Sequence, residues 1–137
     1  MKSQNIFLSK DCIKIGDFGI SKILTSTLQK AKTMIGTPLY LSPEILQNEA
    51  YSFKSDIWAL GVILYEMCAL KMPFDSGNMI ALSNLIMKGI YNPIPEKYSK
   101  EMNDLVKSLL NIVQEQRPTI NEILSLFLNN PRPSYYK

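Results

Sequence analysis

Residues 54–70 read KSDIWALGVILYEMCAL, and the rest of the chain is organised around them. Wound at 3.6 residues per turn, this stretch carries apolar side chains on nearly every face. A helix of that kind has to be surrounded by protein. Its apolar part, Ile57 to Leu70, is shorter than the ~20 residues a bilayer span requires and is interrupted by Glu66, so it reads as a buried core helix.

Amphipathic segments follow on its C-terminal side. Asn78 to Lys88 is helical, apolar at Met79, Leu82, Leu85 and Ile86, and is stopped by Gly89. Tyr91-Asn92-Pro93-Ile94-Pro95 is extended, because proline excludes helix from the residue before it. Ser99 caps a third helix through Leu110, with Met102, Leu105, Val106 and Leu109 on one side. Thr119-Ile120-Asn121-Glu122 is a capping-box signature opening a last helix to about Leu128, and Pro131 and Pro133 end the ordered part. On the N-terminal side, Ile6-Phe7-Leu8 and Ile13-Lys14-Ile15 flank the turn residues Ser9-Lys10-Asp11 and predict a β-hairpin. Residues 18–42 keep no period and are rich in Thr, Ser, Lys and Gly, as functional or disordered segments are. The expected class is α+β, mostly helical with a small N-terminal hairpin.

Composition narrows the chemistry. The chain has 137 residues, 46% hydrophobic and 20% charged, as one soluble domain would. Its net charge of +3 is spread along the chain, so neither nucleic acid nor a membrane is an expected partner. Histidine is absent and Cys12 and Cys68 form no framework spacing. That excludes metal sites built on Cys or His, and Ser-His-Asp or Cys-His catalysts. Free thiols without an export signal favour a cytoplasmic or nuclear setting.

The hairpin ends carry the candidate chemistry. Asn5 precedes the first strand and Asp17 follows the second, and antiparallel pairing brings both to one edge. An amide oxygen beside a carboxylate suits Mg²⁺, which keeps few protein ligands and takes the rest from water and phosphate. Lys2 adds a cation where phosphate oxygens would lie. Taken alone, these three residues are better read as the polar ends of a surface hairpin.

The flanking motifs decide between the two. Asp17-Phe18-Gly19 stands at one end of the irregular segment and Gly36-Thr37-Pro38-Leu39-Tyr40-Leu41-Ser42-Pro43-Glu44 at the other. With Lys2-Ser3-Gln4-Asn5 upstream and Ser55-Asp56-Ile57-Trp58-Ala59-Leu60-Gly61 and Arg117-Pro118 downstream, the order resembles that of a eukaryotic-type serine/threonine protein kinase. The matches cover nearly the whole chain, with Ser42 where such kinases carry Ala. Lys2 to Leu8, Gly16 to Ile20 and Tyr65-Glu66-Met67-Cys68 resemble the NIMA-related kinases in particular.

That resemblance implies ATP and Mg²⁺ as cofactors and Ser/Thr of a protein as substrate. By it, residues 1–130 form a partial kinase domain: the end of the catalytic loop, the activation segment 17–44 and a helical lobe 54–128, followed by a short tail 131–137. Asp17 and Asn5 would hold the metal, Lys2 would steady the γ-phosphate, and Thr37 would face the catalytic base. Phe18 and Gly19 would set the direction of Asp17. Thr33 is the candidate activating phosphosite, set by another kinase or by self in trans, with Thr25, Ser26 and Thr27 also available. Asp56 would cap the backbone of the catalytic loop. Glu44 and Arg117 resemble the pair that ties the activation segment to the helical lobe. Of fifteen basic residues only Arg117 and Arg132 are arginine, and a planar fork is what a buried carboxylate requires.

The resemblance breaks at the start. The kinase His-Arg-Asp triplet would stand immediately before Met1, and the nucleotide-binding lobe with its Gly-rich loop is absent. On that reading the chain is a fragment expected to be inactive alone, with one face of the 54–70 helix uncovered and sticky. A non-catalytic interaction lobe and a non-functional remnant are the alternatives.

Overall fold

The structure is a computed structural model and describes residues 1–10, 12–16 and 39–128. Strand β1 (Ile6–Leu8) pairs antiparallel with β2 (Ile13–Ile15), and a 3₁₀ turn, Ser3–Asn5, leads into it. Helix α1 (Pro43–Leu46), α2 (Phe53–Ala69), α3 (Met79–Lys88) and α4 (Lys100–Leu109) follow. A 3₁₀ turn at Gln114–Gln116 and α5 (Ile120–Leu128) complete the described residues.

Local chemistry sets each helix start. Ser52 caps α2, its Oγ accepting from Lys54 N at 3.2 Å while Ser55 Oγ accepts from Ser52 N at 3.4 Å. This reciprocal box uses serine at the fourth place, and the helix starts one residue before the expected Lys54. Asn78 Oδ1 accepts from Ala81 N at 2.8 Å to open α3, and Ser99 Oγ accepts from Met102 N at 3.3 Å to open α4. Each such cap contributes about 1 kcal/mol. Thr119 and Glu122 form the expected box at α5, with Thr119 N donating to Glu122 Oε2 at 2.7 Å. Helix α3 ends on Gly89, whose φ of 61° is left-handed and open to glycine at little cost.

Helix α2 is the axle. Trp58, Val62, Tyr65 and Cys68 pack with Phe74, Leu82, Ile86, Ile94, Val106 and Leu110. Elsewhere on its surface Ile57 meets Leu105, Leu109 and Ile123. Trp58 is fully buried and stacks on Phe74, ring centroids 5.5 Å apart. Helices α2 and α4 meet at Gly61, where a Cβ would stand 2.8 Å from Leu109 Cβ and 3.0 Å from Leu110 Cδ2.

The exposed apolar surface is distributed differently from expectation. From Ile57 to Tyr65 every residue of α2 is buried or half-buried, with Leu60 and Leu64 leaning on the Ile57–Leu105 group. Only the ends of that face, Phe53 and Met67, stand in solvent. The open apolar surface lies on the hairpin and on α5 instead. The register pairs Ile6 with Ile15 and Leu8 with Ile13, which puts four apolar residues on one face of the hairpin. Three of them, Leu8, Ile13 and Ile15, are exposed. On α5 only Ile123 is buried. Among the described residues no helix is long and apolar enough to cross a membrane.

Candidate active site

The hairpin mouth is held by backbone hydrogen bonds. Asn5 N donates to Lys2 O at 3.0 Å, and Gly16 N donates to Asn5 O at 2.8 Å. The strand register continues through that last bond, so Asn5 stands opposite Gly16, the residue that precedes Asp17 in the chain. The Asn5 side chain is half-buried, and its Nδ2 is sealed from solvent with no acceptor among the described residues. Lys2 is exposed beside it. Among the described residues there is no cluster of three or more acidic or cysteine side chains. A cation here would rest on few protein oxygens and complete its shell from water and phosphate, the habit of Mg²⁺. Of the expected groups, the described residues supply the Asn5 amide oxygen and the exposed Lys2 ammonium, which suit a hard cation and phosphate respectively. Asp17, Phe18, Gly19, Thr33 and Thr37 lie outside the described residues, as does the 131–137 tail.

Asp56 Oδ1 lies 3.9 Å from the Met1 nitrogen, longer than a hydrogen bond, with the side chain half exposed. The Met1 nitrogen is backbone of the segment that Asp56 is expected to cap, and among the described residues Asp56 makes no hydrogen bond to the Ser3–Asn5 turn.

The turn at Leu39–Tyr40 and helix α1 connect the mouth to the helical body. Tyr40 Oη lies 2.8 Å from Ser3 Oγ and donates to Glu66 Oε2 at 3.1 Å. Four residues further on, Glu44 receives both arms of Arg117. Nη1 donates to Oε1 and Nη2 to Oε2, each at 2.7 Å. Ser55 Oγ adds a bond to Oε1 at 2.8 Å. The remaining Arg117 donors reach Lys54 O and Asn111 O, both at 2.8 Å, and the guanidinium lies 5.0 Å over the Trp58 ring. Both partners are buried, so the pair is compensated by near-complete hydrogen bonding and not by water. Burial alone would raise the Glu44 carboxyl; the Arg117 guanidinium, a backbone N–H and the Ser55 and Ser42 hydroxyls outweigh it and hold it down to about 2.

A profile of the protein kinase domain matches residues 1–127. The chain belongs to the protein kinase domain family. Within that family it is a NIMA-related sequence. It is 51% identical over 135 residues to the probable serine/threonine-protein kinase nek3 of Dictyostelium discoideum, covering 94% of this chain and 12% of that protein. It is 46% identical over 138 residues to serine/threonine-protein kinase Nek5 of Homo sapiens, covering 98% and 20%. Against serine/threonine-protein kinase Nek1 of Mus musculus it is 50% identical over 125 residues, covering 90% and 10%. The chain therefore spans a fifth or less of the length of these relatives.

Kinase family membership gathers the hairpin mouth, the Tyr40–Glu44 segment and the α2–α5 body into one domain profile. Lys2, Asn5, Glu44 and Arg117 stand out from the sequence as site residues, whereas Ser3, Tyr40 and Glu66 emerge from the fold. Glu66 carries a signal of its own, as the single carboxylate in the apolar run Ile57 to Leu70.

Proposed function

We propose that the protein containing this chain is a protein serine/threonine kinase that transfers the γ-phosphate of ATP to Ser or Thr of other proteins. One observation carries it: the hairpin register sets Asn5 opposite Gly16, the residue before Asp17, at the mouth where Lys2 is exposed. Kinases use ATP and Mg²⁺, and such a metal would supply neutralisation of the charge that develops on the transferred phosphoryl group. Asn5 and Asp17 would hold it. Lys2, exposed at the mouth, would hold the γ-phosphate by charge, an effect strongest where water is excluded. The Glu44–Arg117 pair acts at a distance. It fixes the C-terminal end of the 17–44 segment on α2 and on the loop before α5, so that substrate meets a rigid edge. Cys12 and Cys68 are both free thiols, which supports a reducing cytoplasmic or nuclear setting.

The test is transfer of labelled γ-phosphate to a Ser/Thr protein by the intact protein. Asp17→Ala should abolish it. Undiminished transfer by that variant would overturn the proposal.

A further inference from the structure

Ser3, Tyr40 and Glu66 take no part in the chemistry above, yet their side chains meet. A tyrosine hydroxyl carries one proton, and Tyr40 gives it to the Glu66 carboxylate at 3.1 Å. The 2.8 Å contact with Ser3 must then run the other way, with Ser3 Oγ–H donating to Tyr40 Oη. The chain of donation is Ser3 to Tyr40 to Glu66. It ends on an ionised acceptor, and such bonds are shorter and stronger than neutral ones and polarise their neighbours.

Tyr40 and Glu66 belong to parts of the chain that also share the core, and Ser3 comes from outside it. Glu66 sits in the last turn of α2, next to the buried Tyr65. Tyr40 packs its ring against the main core group. Ser3 belongs to the hairpin segment, most of which is exposed. Among the described residues, Ser3 to Tyr40 is the one hydrogen bond between residues 1–16 and the helical body. Lys2 and Asn5 flank Ser3 directly, in the turn closed by Asn5 N to Lys2 O.

We propose that Tyr40, aimed by Glu66, is a positioning residue. Through Ser3 it holds the Lys2–Asn5 turn at a set distance and angle from α2, and so aligns the phosphate- and metal-holding groups with the substrate edge of the same segment. Its consequence for phosphate transfer rests on the kinase proposal; its consequence for the turn does not.

The experiment uses the intact protein and reads backbone amide hydrogen exchange beside steady-state kinetics. Tyr40→Phe removes one hydroxyl and keeps the ring in the core. Exchange at the Asn5 and Gly16 amides should rise about tenfold or more, the scale of a lost bond to a charged group. Exchange within α2 should stay the same. Ser3→Ala, at a half-buried position, should reproduce the effect, and the double variant should add nothing to it. Glu66→Gln, which still accepts, should retain most of the protection that Glu66→Ala loses. In the kinetic arm, kcat for phosphate transfer falls about tenfold or more while KM for the protein substrate changes little, since alignment and not binding is lost. Unchanged exchange at Asn5 and Gly16 in Tyr40→Phe, or an equal rise throughout α2, overturns the proposal. Should the unmodified protein transfer no phosphate, the kinase reading falls, and the exchange data still decide the relay.

Discussion

A lysine at position 117 would keep the positive charge of the arginine and discard its fork. Arg117 spends its donors on both oxygens of Glu44 and on the carbonyls of Lys54 and Asn111. A single ammonium can reach the carboxylate or the carbonyls, but not span all of them. At least one bond to a charged acceptor is lost, about 2 kcal/mol, and one buried carbonyl is left dry, about 1 kcal/mol more. Arg117→Lys should therefore destabilise the protein by about 3 kcal/mol. Urea unfolding at neutral pH measures it as a lower midpoint at unchanged slope.

The acid limb supplies a second reading of the same pair. Glu44 is held at about 2 in the fold against an ordinary 4.5, so its folded-state pKa is depressed. Its contribution, about 3 kcal/mol for a shift of that size, is present above pH 4.5 and is lost as pH falls through about 2. With lysine opposite, the depression shrinks and the loss should begin and end at higher pH. A cost below about 1 kcal/mol for Arg117→Lys, with an unaltered acid limb, would refute the view that the fork is what holds the segment down.

Two further substitutions probe the packing. Gly61→Ala places a Cβ 2.8 Å from Leu109 Cβ. Overpacking should cost about 1–3 kcal/mol in spite of alanine's better helix propensity. A raised thermal midpoint would mean that α2 and α4 do not approach so closely. Ser42 is fully buried, and its hydroxyl helps to hold the Glu44 carboxyl down although it meets no strict hydrogen-bond geometry among the described residues. Ser42→Ala should therefore raise that carboxyl and move the acid limb of urea unfolding to higher pH. An unmoved limb would mean that the hydroxyl does not act on Glu44.

Local signals in the sequence were strong where chemistry acts over three or four residues. Ser99, Asn78, Gly89 and the Thr119–Glu122 box mark helix ends because caps are read by near neighbours. The start of α2 was displaced by one residue because Ser55 replaces the usual Glu or Gln of a capping box. Helix α1 was missed, since its four residues show no period. Glu44 and Arg117 are 73 residues apart and were found only through an arginine standing out among lysines and a family likeness. Ser3, Tyr40 and Glu66, 37 and 26 residues apart, carry no spacing rule at all, and only the folded chain brings them together. The exposed apolar face was assigned to α2 because its sequence is apolar all round. Leu60 and Leu64 instead find cover near Leu105, Leu109 and Ile123, and the hairpin bears the open face.

Calorimetric titration of ATP into the intact protein, with and without Mg²⁺, tests most directly whether the hairpin mouth is a metal–nucleotide site. The unmodified protein should bind more tightly with the metal present, and Asn5→Ala combined with Asp17→Ala should erase that difference while leaving metal-free binding alone. A double variant that keeps the full Mg²⁺-dependent gain would contradict the account.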